Sequence, residues 1–151
     1  MGKILYLTCN KNEEHEYRFF VGIGMMFPSV YKEIINKIQQ GKYGTEIKNF
    51  LQENPKGAIN CSSEIAYCPK CGKLEEVVNL SMYVPKKNKQ TVDTSYVMPS
   101  RLQTEYKKVK EYKHICSKCL SEMKIIKSKK EKIKCPECDG ILKIDDGGCW
   151  D

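Results

Sequence analysis

Six of the nine cysteines in this 151-residue chain stand in three Cys-x-x-Cys pairs, Cys68/Cys71, Cys116/Cys119 and Cys135/Cys138. Thiolates are soft ligands, and four of them at about 2.3 Å make a tetrahedral zinc site. Two residues between the cysteines let one tight turn aim both sulfurs at a single metal. Backbone N–H groups inside that turn then donate to the sulfurs and spread their charge. A glycine after the second cysteine suits the positive φ through which the chain often leaves such a turn. Cys68-Pro-Lys-Cys71-Gly72 has it, Cys135-Pro-Glu-Cys138-Asp139-Gly140 has it one place later, and Cys116-Ser-Lys-Cys119-Leu120 keeps only the spacing.

Fifteen residues separate Cys119 from Cys135. A β-hairpin of that length brings two knuckles face to face, so Cys116, Cys119, Cys135 and Cys138 are expected to share one zinc ion. Cys68 and Cys71 then need partners. Cys9 complements them, and the fourth ligand of this second site is His15, Cys61 or Cys149, unless three thiols remain as a degenerate site. His15 is close in sequence and completes a common Cys3His set. Asn12 occupies the place where Cys9 would have a Cys-x-x-Cys partner, and it is expected to stabilise the turn instead. His114 is read as a strand residue.

Cysteine usage, apolar run lengths and composition lead us to expect a soluble chain in a reducing, cytoplasmic setting. Paired thiols in such a compartment bind metal or do redox chemistry, and an odd cysteine count suits no closed disulfide framework. No run of apolar residues approaches the ~20 that a membrane helix needs, and the start of the chain has no signal-peptide pattern. Hydrophobic residues at 40% and charged residues at 30% are those of a globular protein.

The elements that must position the ligands are short. Lys3 to Thr8 and Tyr17 to Ile23 read as strands flanking the polar turn that holds Cys9 and His15. Val30, Tyr31, Ile34, Ile35 and Ile38 lie on one helical face, with Ser29 as a candidate N-cap and Gly41 as a stop. Thr45 opens a second helix that ends at Asn54-Pro55. Together they form a helical hairpin over about residues 28–54. Short strands surround each cysteine pair, while residues 84–104 lack periodicity and carry two prolines, which marks a linker. The expected organisation is therefore an N-terminal unit over 1–83, a linker over 84–104 and a C-terminal unit over 105–151.

Residues from about 109 to 151 resemble the zinc-ribbon family, with its rubredoxin-like knuckles, in cysteine spacing and strand pattern. The whole chain resembles a group of small, uncharacterised bacterial proteins with two zinc ribbons. The residues that carry this are the segment Gly22 to Gly44, Cys68-Pro-Lys-Cys71-Gly72, the second ribbon, and Gly148-Cys149-Trp150-Asp151. The resemblance implies a small α+β protein with two zinc-ribbon-type β units, the first carrying the helical hairpin. It implies no activity, because zinc ribbons bind nucleic acid, dock proteins or simply hold a fold.

The net charge of +7 is uneven: residues 80–134 hold 15 basic and 5 acidic side chains, and the remainder 11 and 14. Such asymmetry suits an anionic partner or a solvated lysine face. With only Arg18 and Arg101 as arginines, nucleic-acid binding would be backbone-directed and salt-sensitive. Tyr106 and Tyr112 among the lysines are candidates for base stacking or for packing. The expected function is a non-enzymatic zinc module that binds a protein or a nucleic acid, with a metal-stabilised structural or inhibitory protein as the alternative. A Cys-x-x-Cys oxidoreductase would need its pair at a helix start. A zinc hydrolase would need an open coordination position and a general base, and the His-x-Glu signature of the deaminases is absent. No small-molecule substrate and no membrane are expected.

Overall fold

The computed structural model describes residues 2–87 and 96–150. Among the described residues, three helices and several antiparallel sheets make a small α+β protein, divided into two units that are both discontinuous in sequence. The first comprises Met1–Met25, Ser63–Val77 and Lys113–Asp151, and the second Met26–Ser62 and Val78–Tyr112. This differs from the expected division at 84–104. That stretch contains the end of a strand and a helix that belong to the second unit, and residues 88–95 within it lie outside the described residues.

In the first unit, β1 (Gly2–Cys9) and β2 (Glu16–Val21) form the hairpin that the alternating apolar residues foretell. Strand β10 (Ile141–Trp150) pairs antiparallel with β1, setting Leu7 opposite Ile144 and Cys9 opposite Leu142. The two-residue β9 (Ile133–Lys134) adds to β10, for the order β2-β1-β10-β9. A second sheet has the order β5-β4-β8, from β5 (Leu74–Val78), β4 (Ser63–Tyr67) and β8 (Lys124–Ile125). Leu7, Ile65, Ile133, Leu142 and Ile144 are buried together with Cys9 and Cys135. Trp150 closes the long strand: its indole N–H donates to the Val21 carbonyl at 3.1 Å, and its ring meets Phe20 edge-on.

The second unit holds the helical hairpin, α1 (Phe27–Gln39) and α2 (Thr45–Glu53). Helix α1 starts two residues before the expected cap. Met26 occupies the cap position without a side-chain bond, Pro28 sits in the first turn, and Ser29 lies within the helix. Pro28 lacks an N–H that would go unpaired there, so it suits the first turn. The apolar face is placed as the periodicity predicts, with Tyr31, Ile34 and Ile38 buried. The unit's sheet has the order β3-β6-β7, from β3 (Ala58–Ile59), β6 (Met82–Pro85) and β7 (Tyr106–Lys110). A short helix, α3 (Pro99–Glu105), leads into β7. Strand β7 lies at the sheet edge with Lys107, Lys108 and Lys110 exposed, where charge discourages pairing with another chain. Tyr106 is buried and the Tyr112 hydroxyl donates to the Tyr43 carbonyl at 2.9 Å, so both tyrosines pack within the unit.

Candidate metal centres

The cysteines gather in two quartets. Cys9, His15, Cys135 and Cys138 form one, and Cys68, Cys71, Cys116 and Cys119 the other, with each quartet's ligand atoms within 4.8 Å of one another. All eight expected ligand residues are thus used, but in a different grouping. Cys116 and Cys119 do not meet Cys135 and Cys138, and Cys9 and His15 do not meet Cys68 and Cys71. The reason lies in residues 120–134, which form no hairpin. Strand β8, next to the Cys116/Cys119 turn, pairs with β4 beside Cys68, whereas β9, next to Cys135, pairs with β10. Each knuckle is carried to a different sheet.

The three Cys-x-x-Cys turns share one backbone closure. The N–H of the first cysteine donates to the carbonyl five residues on: Cys68 to Lys73, Cys116 to Ser121 and Cys135 to Gly140, at 2.8–2.9 Å. In the two turns of the all-cysteine quartet, the residue after the second cysteine also donates back to the first. Gly72 and Leu120 do this equally, at 2.9 Å, with φ of 79° and 61°. Leucine in the left-handed region is strained by about 1–2 kcal/mol. Leu120 is 76% exposed, so its side chain returns little for that strain. Leu120→Gly is expected to raise stability by about 0.5–1 kcal/mol, the relief being offset by glycine's greater freedom when unfolded. A denaturant midpoint that falls would contradict this reading of the turn.

The fourth arm, Cys9 to His15, is one residue longer: the Cys9 N–H donates to the His15 carbonyl at 3.1 Å. Asn12 shapes this loop, accepting from the His15 N–H with its carbonyl and from the Glu14 N–H with its side chain. Asn10 ties the loop to the opposite knuckle, since its N–H donates to the Ile141 carbonyl and its side-chain oxygen accepts from the Ile141 N–H. A Lys11–Asp139 ion pair spans the same gap. It is exposed and screened by solvent, so it contributes little.

Sulfur separations fit a shared ion. Cys68 and Cys119 stand 3.4 Å apart, Cys71 and Cys116 3.5 Å, and Cys9 and Cys138 3.4 Å, while the His15 Nδ1 lies 3.5 Å from the Cys135 sulfur. A disulfide would hold its sulfurs at about 2.05 Å. Ligands ~2.3 Å from a tetrahedral ion stand roughly 3.8 Å from one another, so a slight expansion of each quartet accommodates one.

The thiols within each quartet diverge in acidity. Hydrogen bonds from the Ser121 side chain and backbone bring Cys119 down to about 6. Burial pushes Cys9 up, but the N–H groups of Lys11 and Asn12 and the neighbouring sulfurs outweigh it and bring Cys9 down to about 7. The Lys73 N–H pulls Cys71 down, yet burial and the other three sulfurs hold it at about 11. Cys138 is likewise raised, chiefly by Cys9 and by burial against the Gly140 N–H. Four thiolates this close repel one another, so some protons stay until a cation replaces them.

No known protein family, no curated protein and no solved structure matches the chain. The functional reading therefore rests on the two quartets.

The two remaining cysteines are ligands of neither. Cys61 is buried in the second unit, and burial raises its thiol far above the ordinary range. Cys149 is exposed on β10, opposite Lys3. His114 is buried outside both quartets, and its carbonyl accepts from the Met123 N–H at 2.7 Å. With both quartets metal-loaded, an alkylating agent is expected to modify Cys149 quickly and the other eight cysteines slowly. Mass spectrometry of the labelled chain checks this; Cys61 reacting as fast as Cys149 would contradict its burial.

Proposed function

We propose that the chain is a non-enzymatic, zinc-stabilised binding module with two ribbon-like metal centres, which works in the cytoplasm. The observation that supports this is that each quartet brings four protein donors together. A closed four-donor set suits a structural zinc, whereas a catalytic zinc keeps a position open for water or substrate. Three or four thiolates per site favour zinc over hard cations such as magnesium or calcium. Seven ligand thiols would have to stay reduced, which is the condition of the cytoplasm. No helix among the described residues is long and apolar enough to cross a membrane.

The partner-facing part of this module is the second unit. By sequence, residues 26–62 and 78–112 hold 12 basic and 6 acidic side chains, a balance of +6, while the rest of the chain holds 14 and 13. Binding zinc to seven thiolates and one histidine makes the first unit more negative, so the basic character lies with the unit that has no ligands. An anionic partner, with nucleic acid as the plainest example, would meet lysine side chains, and its binding would weaken with salt.

Protein purified without added metal should carry two zinc ions per chain by native mass spectrometry. It should also bind a single-stranded oligonucleotide with an affinity that falls steeply between low and physiological salt. Zinc-free protein that is fully folded would sink the metal reading. Two zinc ions with no oligonucleotide binding at low salt would sink the anionic partner and leave the structural or inhibitory alternative.

A further inference from the structure

The His15 ring stands between two sets of partners that demand opposite proton positions. Its Nδ1 faces the Cys135 sulfur at 3.5 Å. Its Nε2 lies 3.1 Å from a Glu137 carboxylate oxygen and 3.3 Å from the Asn12 side-chain nitrogen. The Asn12 amide is oriented by its own oxygen, which accepts from the Glu14 N–H at 3.0 Å, so its nitrogen can only donate. A neutral imidazole has one N–H. If Nδ1 carries it, the ring donates to the Cys135 sulfur, Nε2 accepts from Asn12, and Glu137 has no role. If Nε2 carries it, the ring donates to Glu137 and the Nδ1 lone pair points at the three sulfurs. Only the second arrangement ligates a metal.

From this geometry we infer that Glu137 is the positioning residue of the Cys9/His15/Cys135/Cys138 centre, holding His15 as the Nε2–H tautomer so that Nδ1 binds the ion. The inference rests on the zinc reading above and deepens it. One knuckle, Cys135-Pro136-Glu137-Cys138, then supplies two thiolates to the metal together with the carboxylate that orients the histidine. A carboxylate behind a ligating histidine fixes ring orientation and raises ligand basicity, and losing such a partner typically weakens metal binding 10- to 100-fold. Glu137 is half exposed, which puts the expected effect at the lower end of that range.

The test uses the full chain, zinc alone as the probe, and Glu137→Ala and Glu137→Gln compared with the parent. Competition against a chelator should show the zinc at this centre held about 10-fold more weakly in Glu137→Ala, with the zinc at the all-cysteine centre unchanged. Glutamine keeps an acceptor oxygen and should recover most of the loss. Long-range 1H–15N spectra of the zinc-loaded parent should show His15 protonated at Nε2 and bare at Nδ1. Equal zinc affinity in the parent and Glu137→Ala, equal losses in both variants, or a zinc-loaded His15 protonated at Nδ1 would each overturn the role of Glu137. A parent that binds no zinc through Cys9, Cys135 and Cys138 would instead overturn the underlying metal reading.

Discussion

Replacing Cys116 with serine is expected to unfold residues 66–77 and 113–125 while the β1–β2–β10 sheet, with Ile65 packed in its core, stays folded. The two metal centres differ in what surrounds them. Around Cys68 and Cys116 the buried cluster contains only Ala66 and Met123 besides the cysteines, with Val77 packed at its side. That leaves too little apolar surface to order about 25 residues, each of which loses about 1–2 kcal/mol of backbone entropy on folding. The ion is in effect the core there, and a structural zinc contributes on the order of 10 kcal/mol. The other centre adjoins Leu7, Ile65, Ile133, Leu142 and Ile144, an apolar cluster spanned by the long β1–β10 pairing. Hydrogen exchange read by mass spectrometry separates the regions. Cys116→Ser should abolish protection in β8 and at Ala66 and Tyr67 and spare β1 and β10, and Cys138→Ser should affect chiefly the loops that carry its own ligands. Protection in β8 that survives Cys116→Ser would show a core that the buried residues around Cys116 do not supply.

Gly140→Ala should remove the metal from the Cys9/His15/Cys135/Cys138 centre and leave the other loaded. A Cβ on Gly140 would run into the Cys9 sulfur, while standing 3.0 Å from the Asn10 side-chain oxygen and 3.3 Å from the Cys138 sulfur. The backbone has no room to retreat. The Gly140 carbonyl accepts from the Cys135 N–H at 2.8 Å, and its N–H donates to the Cys138 sulfur at 3.3 Å. Relief must come from the Cys9 sulfur, which is a ligand. Overpacking of this kind costs about 1–3 kcal/mol, or roughly 10- to 100-fold in zinc affinity. Zinc per chain in the presence of a moderate chelator should fall from two to one. Retention of both would mean that the Cys9 arm can shift without losing its metal.

The identity of the ligands was legible because chemistry that needs a tight turn leaves a local trace: Cys-x-x-Cys, proline at the second place, glycine beyond. The β1–β2 hairpin and the buried face of α1 were legible for the same reason, since alternation and 3.6-residue periodicity are local patterns. The grouping of ligands was not. It depends on β8 joining β4 and β9 joining β10, and each of β8 and β9 is two residues long, too short for any periodicity. Proximity in sequence then favoured the wrong partner for Cys116 and Cys119. The division into units was hidden similarly. Ala58 pairs with Tyr83, and Pro85 with Tyr106, across loops that carry no signal of closure. Met82–Pro85 ends in a proline that reads as a linker, yet the strand is central to its sheet. Ser29 was a plausible cap by type, but Pro28 in the first turn moved the helix start upstream. Gly140 and Glu137 carry roles that show only once the loops of Cys9 and Cys135 are seen to face each other.

The most direct test of the two interleaved centres is zinc per chain in two double variants that each remove two cysteines. Cys68→Ser/Cys116→Ser takes both ligands from one quartet, and Cys116→Ser/Cys135→Ser takes one from each. Native mass spectrometry should find one zinc ion in the first variant and none firmly held in the second. If neighbouring pairs in the sequence shared an ion instead, the result would invert. The second variant would then retain one zinc and the first would lose both, and the grouping described here would be wrong.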